Sequence, residues 1–156
     1  MLSAKLIQLI EDHWQGIMTA VVHQVRADPR LPEISRLPEA ELRDAGRNLL
    51  RNLGHWLTAS KNEQHMVEEH YEGVGKVRFA ENIPLHECVR TLQAIKHKVV
   101  EFSRDHEFAQ STVEIYAEEE LEHRLNEFFD DLIYHEVIGY EEAMRKAIHA
   151  GAAHAH

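Results

Sequence analysis

Apolar residues recur at three- and four-residue steps through most of the chain, the spacing that gathers them on one face of an α-helix. Leu6, Ile10, Trp14, Ile17, Val21 and Val25 define a first helix from about Ser3 to Arg26. Asp28-Pro29-Arg30-Leu31-Pro32 ends it, because each proline removes a backbone donor and disfavours helical geometry in the residue before it. Pro38 opens a second helix, with Glu39 and Glu41 at its positive end, which carries Leu42, Leu49, Leu50, Leu53 and Trp56 to about Leu57. Thr58 to Asn62 reads as a loop. A third helix is predicted from about Glu63 to Ala80, weakened by Gly73 and Gly75. Pro84 starts a fourth, running to about residue 106, in which Leu85, Cys88, Leu92, Ile95, Val99 and Phe102 alternate three- and four-residue steps as a heptad stripe does. The fifth, from about Ser111 to Ile148, repeats the pattern with Leu121, Leu125, Phe128 and Leu132, flanked by Phe129 and Ile133.

No segment alternates as a strand would and none repeats, so the fold class is all-α with about five main helices. The last helix would exceed ~50 Å in length, more than a domain of this size covers. Together the two stripes predict that a second subunit or a further domain packs on helices about 84–106 and 111–148. Residues 1–148 are expected to form the one domain, and 149–156 a flexible tail holding His149, His154 and His156.

Composition narrows the possible partners. The 156 residues carry 17 Lys and Arg against 27 Asp and Glu, a formal charge of -10. That sign repels phosphate backbones, so nucleic acid is not an expected partner. No apolar run approaches the roughly 20 residues of a membrane span. With Cys88 as the single cysteine and no signal peptide at Met1 to Lys5, the expected compartment is the reducing cytoplasm.

Histidine is the anomaly, with 13 copies. Taken singly, each reads as a surface residue paired with an acid at helical spacing, as in Glu119 with His123, Asp131 with His135 and His97 with Glu101. Taken together they invite a metal. Only Glu120 to His123 has the Glu-x-x-His form that a di-iron bundle needs twice, and no His-x-x-x-His pair occurs. A single cysteine builds no thiolate zinc site. Nucleophile elbows and phosphate-binding glycine loops are absent, and Cys88 lies in an apolar stripe where a thiol is usually inert, so no enzyme activity is expected.

Two segments carry a family likeness. Leu53-Gly54-His55-Trp56-Leu57, followed by Tyr71-Glu72-Gly73-Val74-Gly75-Lys76-Val77-Arg78-Phe79-Ala80-Glu81-Asn82-Ile83-Pro84-Leu85, resembles the sensor-globin superfamily. The nearest pattern is the N-terminal domain of RsbR-type co-antagonists and related signalling proteins. Residues 26–32, 126–131 and 139–141 extend the resemblance over about Leu6 to Glu141.

The resemblance implies a globin-like domain whose last two helices form a dimeric four-helix bundle. It also implies a non-catalytic sensory or regulatory role in a homodimer that signals to a downstream protein or domain. Haem-binding members carry a His-Trp pair, which makes His55 the expected proximal iron ligand of haem b and Trp56 its neighbour. A diatomic gas or a redox state would be the signal. Val22 falls where haem sensors hold a distal tyrosine, so a haem here would lean on His23, take a second histidine such as His23, His65 or His70, or prefer other ligands. Leu50, Leu53, Phe79, Val89 and Leu92 are the expected apolar walls. The RsbR branch commonly lacks the histidine and binds no haem, which gives a second reading as a haem-free stress-signalling interaction module. In that reading His55 merely packs beside Trp56. The third reading is a divalent-metal binder built on the histidines, those of the tail included.

Overall fold

The computed structural model describes residues 2–154, with side chains for 2–151. Among them are seven α-helices: α1 (Ala4–Asp12), α2 (Trp14–Ala27), α3 (Glu39–Arg51), α4 (Leu53–Leu57), α5 (Lys61–Ala80), α6 (Leu85–Asp105) and α7 (Thr112–His154). A single 3-10 turn, Ile34–Arg36, lies between α2 and α3.

The expected five helices become seven because the first two each break once. At both breaks one side chain hydrogen-bonds the carbonyl four residues back. His13 Nδ1 lies 2.8 Å from the Leu9 carbonyl, and Asn52 Nδ2 donates to Asn48 at 3.0 Å. Both residues leave helical geometry, with φ/ψ of -107°/19° and -119°/27°. Thr58 ends α4 and His106 ends α6 in the same way, bonding Gly54 and Phe102. Such back-bonding satisfies one of the carbonyls that a helix end leaves open. Two of the histidines are thus terminators of helices.

The N-termini follow ordinary rules. Ser3, Ser60 and Ser111 accept from backbone N–H groups three residues on. Glu87 Oε1 caps the 3-10 turn from a distance in sequence, accepting from the N–H groups of Glu33 and Ile34 at 2.9 and 3.1 Å. At the far end of α5, Asn82 adopts a left-handed φ of 61°, Ile83 N–H reaches the Arg78 carbonyl, and Asn82 N–H reaches that of Phe79. This is a Schellman closure with asparagine in the glycine position. Tyr140 then donates to the Ile83 carbonyl at 2.7 Å and packs edge-on against Phe79, fixing the turn to α7.

The closest packing is between α5 and α7. Gly75 and Gly139 make it: a methyl at Gly75 would overlap the Glu136 carbonyl, and one at Gly139 the Glu72 carbonyl. The glycines expected to weaken α5 leave it continuous, and Gly75 is what lets its backbone touch its neighbour.

Both apolar stripes are buried within this one subunit. Cys88, Leu92, Ile95 and Val99 of α6 join Leu121, Leu125, Phe128, Phe129 and Leu132 of α7 in a single core with α1 to α3. Elsewhere on α7, Val113, Ile115, Tyr116, Tyr134 and Ile148 are exposed. The helix also runs past Ile148 to His154, so 149–154 continue it where a tail was expected; 155 and 156 lie outside the described residues. No helix among the described residues is long and apolar enough to cross a membrane.

Candidate functional site

One face of α5 is packed against α7 backbone to backbone, and its next face borders a cavity of about 520 Å³. The turn at Ile34, α3, α4, α5, α6 and one residue of α7 enclose it. Leu49, Trp56, Val67, Leu92 and Ile95 form apolar wall, while Asp44 and His70, both exposed, line it near the surface. The polar groups of its buried part are Tyr71, Arg78, Cys88 and Glu136.

Arg78 belongs to the inward face of α5, in step with Val67 and Tyr71. Its Nη1 donates to Glu41 of α3 at 3.0 Å and to Glu81 at 2.7 Å. Burial opposes the guanidinium charge, but the hydrogen bonds to Glu81 and Glu41 outweigh it and raise its pKa. Glu136 is in step with Leu132 and Tyr140 on the inward face of α7 and is only 4% exposed. Its Oε2 is enclosed and has no hydrogen-bond partner. Burial pushes this carboxyl up to about 7, against the attraction of Arg78. The same burial pushes the Cys88 thiol up to about 12 and raises the Tyr71 phenol, so both keep their protons.

The residues expected to hold haem scatter. Leu53 and Leu57 set the inner face of the five-residue α4, and Trp56 turns to the cavity beside them. His55, one residue earlier and 100° round the helix, points away. Its side chain is 55% exposed, with Nε2 3.8 Å from Glu63 and the ring edge-on to Trp56. Of the other expected residues, Leu92 and His70 line the cavity. Val22 and Leu53 are buried in the core instead, Val89 is half-buried, and Phe79 packs on Tyr140. His23 and His65 are exposed, and His65 pairs with Glu69 at 3.0 Å.

These placements do not assemble the expected haem pocket around His55. Protein-held haem iron takes histidine, a thiolate, methionine or tyrosinate. At this cavity Cys88 and Tyr71 are buried, Met66 is largely exposed, and His70, the histidine that lines it, is at the rim. The charged groups at its buried end are Arg78 and Glu136.

Other histidines satisfy acids. His97 meets Glu101 at 3.3 Å as expected, but His123 pairs forward with Glu127 at 3.0 Å. His135 turns from Asp131 to α5, where Glu72 and Glu68 lie 2.8 and 3.5 Å from its two nitrogens. It is half-buried; every other histidine whose side chain is described is exposed. Among the described residues no three His, Cys, Asp or Glu side chains gather to hold a metal ion, and the side chains of His154 and His156 lie outside them.

Sequence reasoning missed Arg78 and Glu136. Their signal was a charge falling in register with an apolar stripe: Val67, Tyr71, Gly75, Arg78 on α5, and Leu125, Leu132, Glu136, Tyr140 on α7.

No protein-family model matches the sequence, and no curated protein matches it. Among solved structures, the chain is similar to the globin domain of DosC from E. coli, crystallised in a ferric form. The likeness covers 86% of this chain and 86% of that one, with a TM-score of 0.69 and 17% identity. At that identity what the two share is the fold, and the chain is an all-helical, globin-like domain.

Proposed function

We propose that this chain is a non-catalytic, globin-like sensory or regulatory domain that reads a small organic ligand in place of haem. The observation that carries the reading is the cavity itself: about 520 Å³ of apolar wall closed at its buried end by Arg78 and Glu136. Cavities of roughly 300–1,000 Å³ with a few convergent polar groups are typical ligand sites. The reading agrees with the haem-free, RsbR-type branch of the sequence resemblance.

Transmission runs through α7. Glu136 lies in the cavity, and the same helix, 43 residues and about 65 Å long, carries the exposed Tyr134 and Ile148. A ligand that prefers one seating of Glu136 biases the position of the helix relative to whatever packs on it. That partner is a second copy of the chain, joined along α7, with a downstream signalling protein or domain beyond.

Titration with haemin tests the central claim. The expected result is no one-to-one Soret band, in the parent chain and in His55→Ala alike. A stoichiometric Soret band that disappears in His70→Ala would overturn the reading and restore haem-based sensing of a gas or redox state, as the ferric state of the DosC domain invites. Sedimentation equilibrium tests the dimer: Tyr134→Lys with Ile148→Lys is expected to yield monomers, and a parent chain already monomeric at high concentration would sink that part.

A further inference from the structure

We infer that the cavity is a receptor for a small organic cation, a protonated amine on an apolar body, whose ammonium group is seated by Glu136. This rests on the ligand-binding reading above and names the chemistry of the ligand.

Glu136 comes first. It is 4% exposed, lines the cavity, and its Oε2 has no donor. A buried carboxylate oxygen without a partner is costly, and natural proteins rarely leave one in place without a use for it. An ammonium group brings three N–H donors and the opposite charge, which resolves both deficits at once.

The charge balance around the cavity selects the same sign. Glu41, Asp44 and Glu136 line it against Arg78. Arg78 is already bonded to Glu41 and to Glu81, so its charge is engaged by two carboxylates before any ligand arrives. No hydrogen bond joins it to Glu136. An anion entering past Asp44 and Glu41 would meet a third acid at the buried end. A cation meets the reverse, a path lined with acids that ends on a carboxyl whose Oε2 has no donor.

The walls fit the rest of the molecule. Leu49, Leu92 and Ile95 offer apolar contact, and Trp56 and Tyr71 offer aromatic faces, which attract cations as well as hydrocarbon. A void of about 520 Å³ suits an arylalkyl or branched alkyl amine.

Three near-isosteric probes decide the matter by isothermal titration on the full chain: 2-phenylethylamine, 2-phenylethanol and phenylacetate. The amine is expected to bind one-to-one and at least about tenfold tighter than the alcohol, the scale of a charge-assisted hydrogen bond in a dry site, with phenylacetate weakest. Glu136→Gln, checked for native helicity by circular dichroism, is expected to lower amine affinity about tenfold and leave the alcohol unchanged. If the alcohol or phenylacetate binds as tightly as the amine, or Glu136→Gln leaves amine affinity intact, the cation assignment fails and the ligand-binding cavity stands. If none of the three binds, both fall.

Discussion

The two faces of α5 are built on opposite principles. Toward α7, Gly75 and Gly139 bring backbones so close that neither site has room for a methyl group. Toward α3 and α6, the same helix borders a cavity of about 520 Å³ and presents Val67, Tyr71 and Arg78 to it. Loose packing cannot explain the void, since the helix that lines it is also the one held most closely. One face acts as a rigid back wall, and the other is left open in front of it. The lesson is that a cavity in a small helical domain needs a fixed side, here supplied by glycine, because the residues around the void contribute less packing of their own.

The largest expected effect comes from attacking the rigid face. Gly139→Ala and Gly75→Ala should each cost about 3 kcal/mol, since the added Cβ meets backbone rather than a mobile side chain, and overpacking typically costs 1–3 kcal/mol or more. Chemical denaturation would read this as a drop in midpoint with little change in slope. A parent-like midpoint in Gly139→Ala would show that α5 and α7 can separate, and the comparison would break.

Next is the open face. The folded state raises Glu136 from an ordinary 4.5 to about 7, so between those values the folded chain holds a proton that the unfolded chain has lost. Its contribution to stability is therefore complete below pH 4.5 and is lost as pH rises through about 7, a swing of about 3 kcal/mol at most. The groups acting on it are Arg78 and Tyr71 of α5 and Cys88 of α6; the latter two stay neutral over this range. Glu136→Leu should remove that dependence and stabilise the chain by about 2 kcal/mol at pH 8. Parallel stability-pH profiles for parent and variant would contradict it.

Tyr140→Phe sharpens the comparison at the seam between the faces. It deletes the 2.7 Å bond to the Ile83 carbonyl but keeps the ring on Phe79, and should cost about 1 kcal/mol. Hydrogen exchange should rise first at the 81–84 turn. The smallest effect belongs to His55→Ala. With the imidazole 55% exposed beside Glu63, thermal unfolding should shift by less than about 0.5 kcal/mol.

Fold class was legible because helical periodicity is local: each stripe announced a helix, and each apolar face went to the core. The site was less legible. His55 and Trp56 are neighbours in sequence, and nothing in composition tells which of them turns inward; Leu53 and Leu57 decide it by fixing the rotation of α4. Arg78 and Glu136 lie 58 positions apart (136 minus 78) and line one cavity only because α5 and α7 pack against each other backbone to backbone at Gly75 and Gly139.

By itself, then, the sequence determined which segments are helical, which face of each is apolar, and the acidic charge of the whole, because these follow from neighbours within one or two turns. Only the tertiary structure decided where the helices break, that both long stripes are buried within one subunit, and that the polar end of the cavity is an arginine and a carboxyl instead of a histidine. The physical reason is that burial and pairing are properties of surfaces brought together from distant parts of the chain, and a charge within an apolar stripe acquires its meaning only from what faces it.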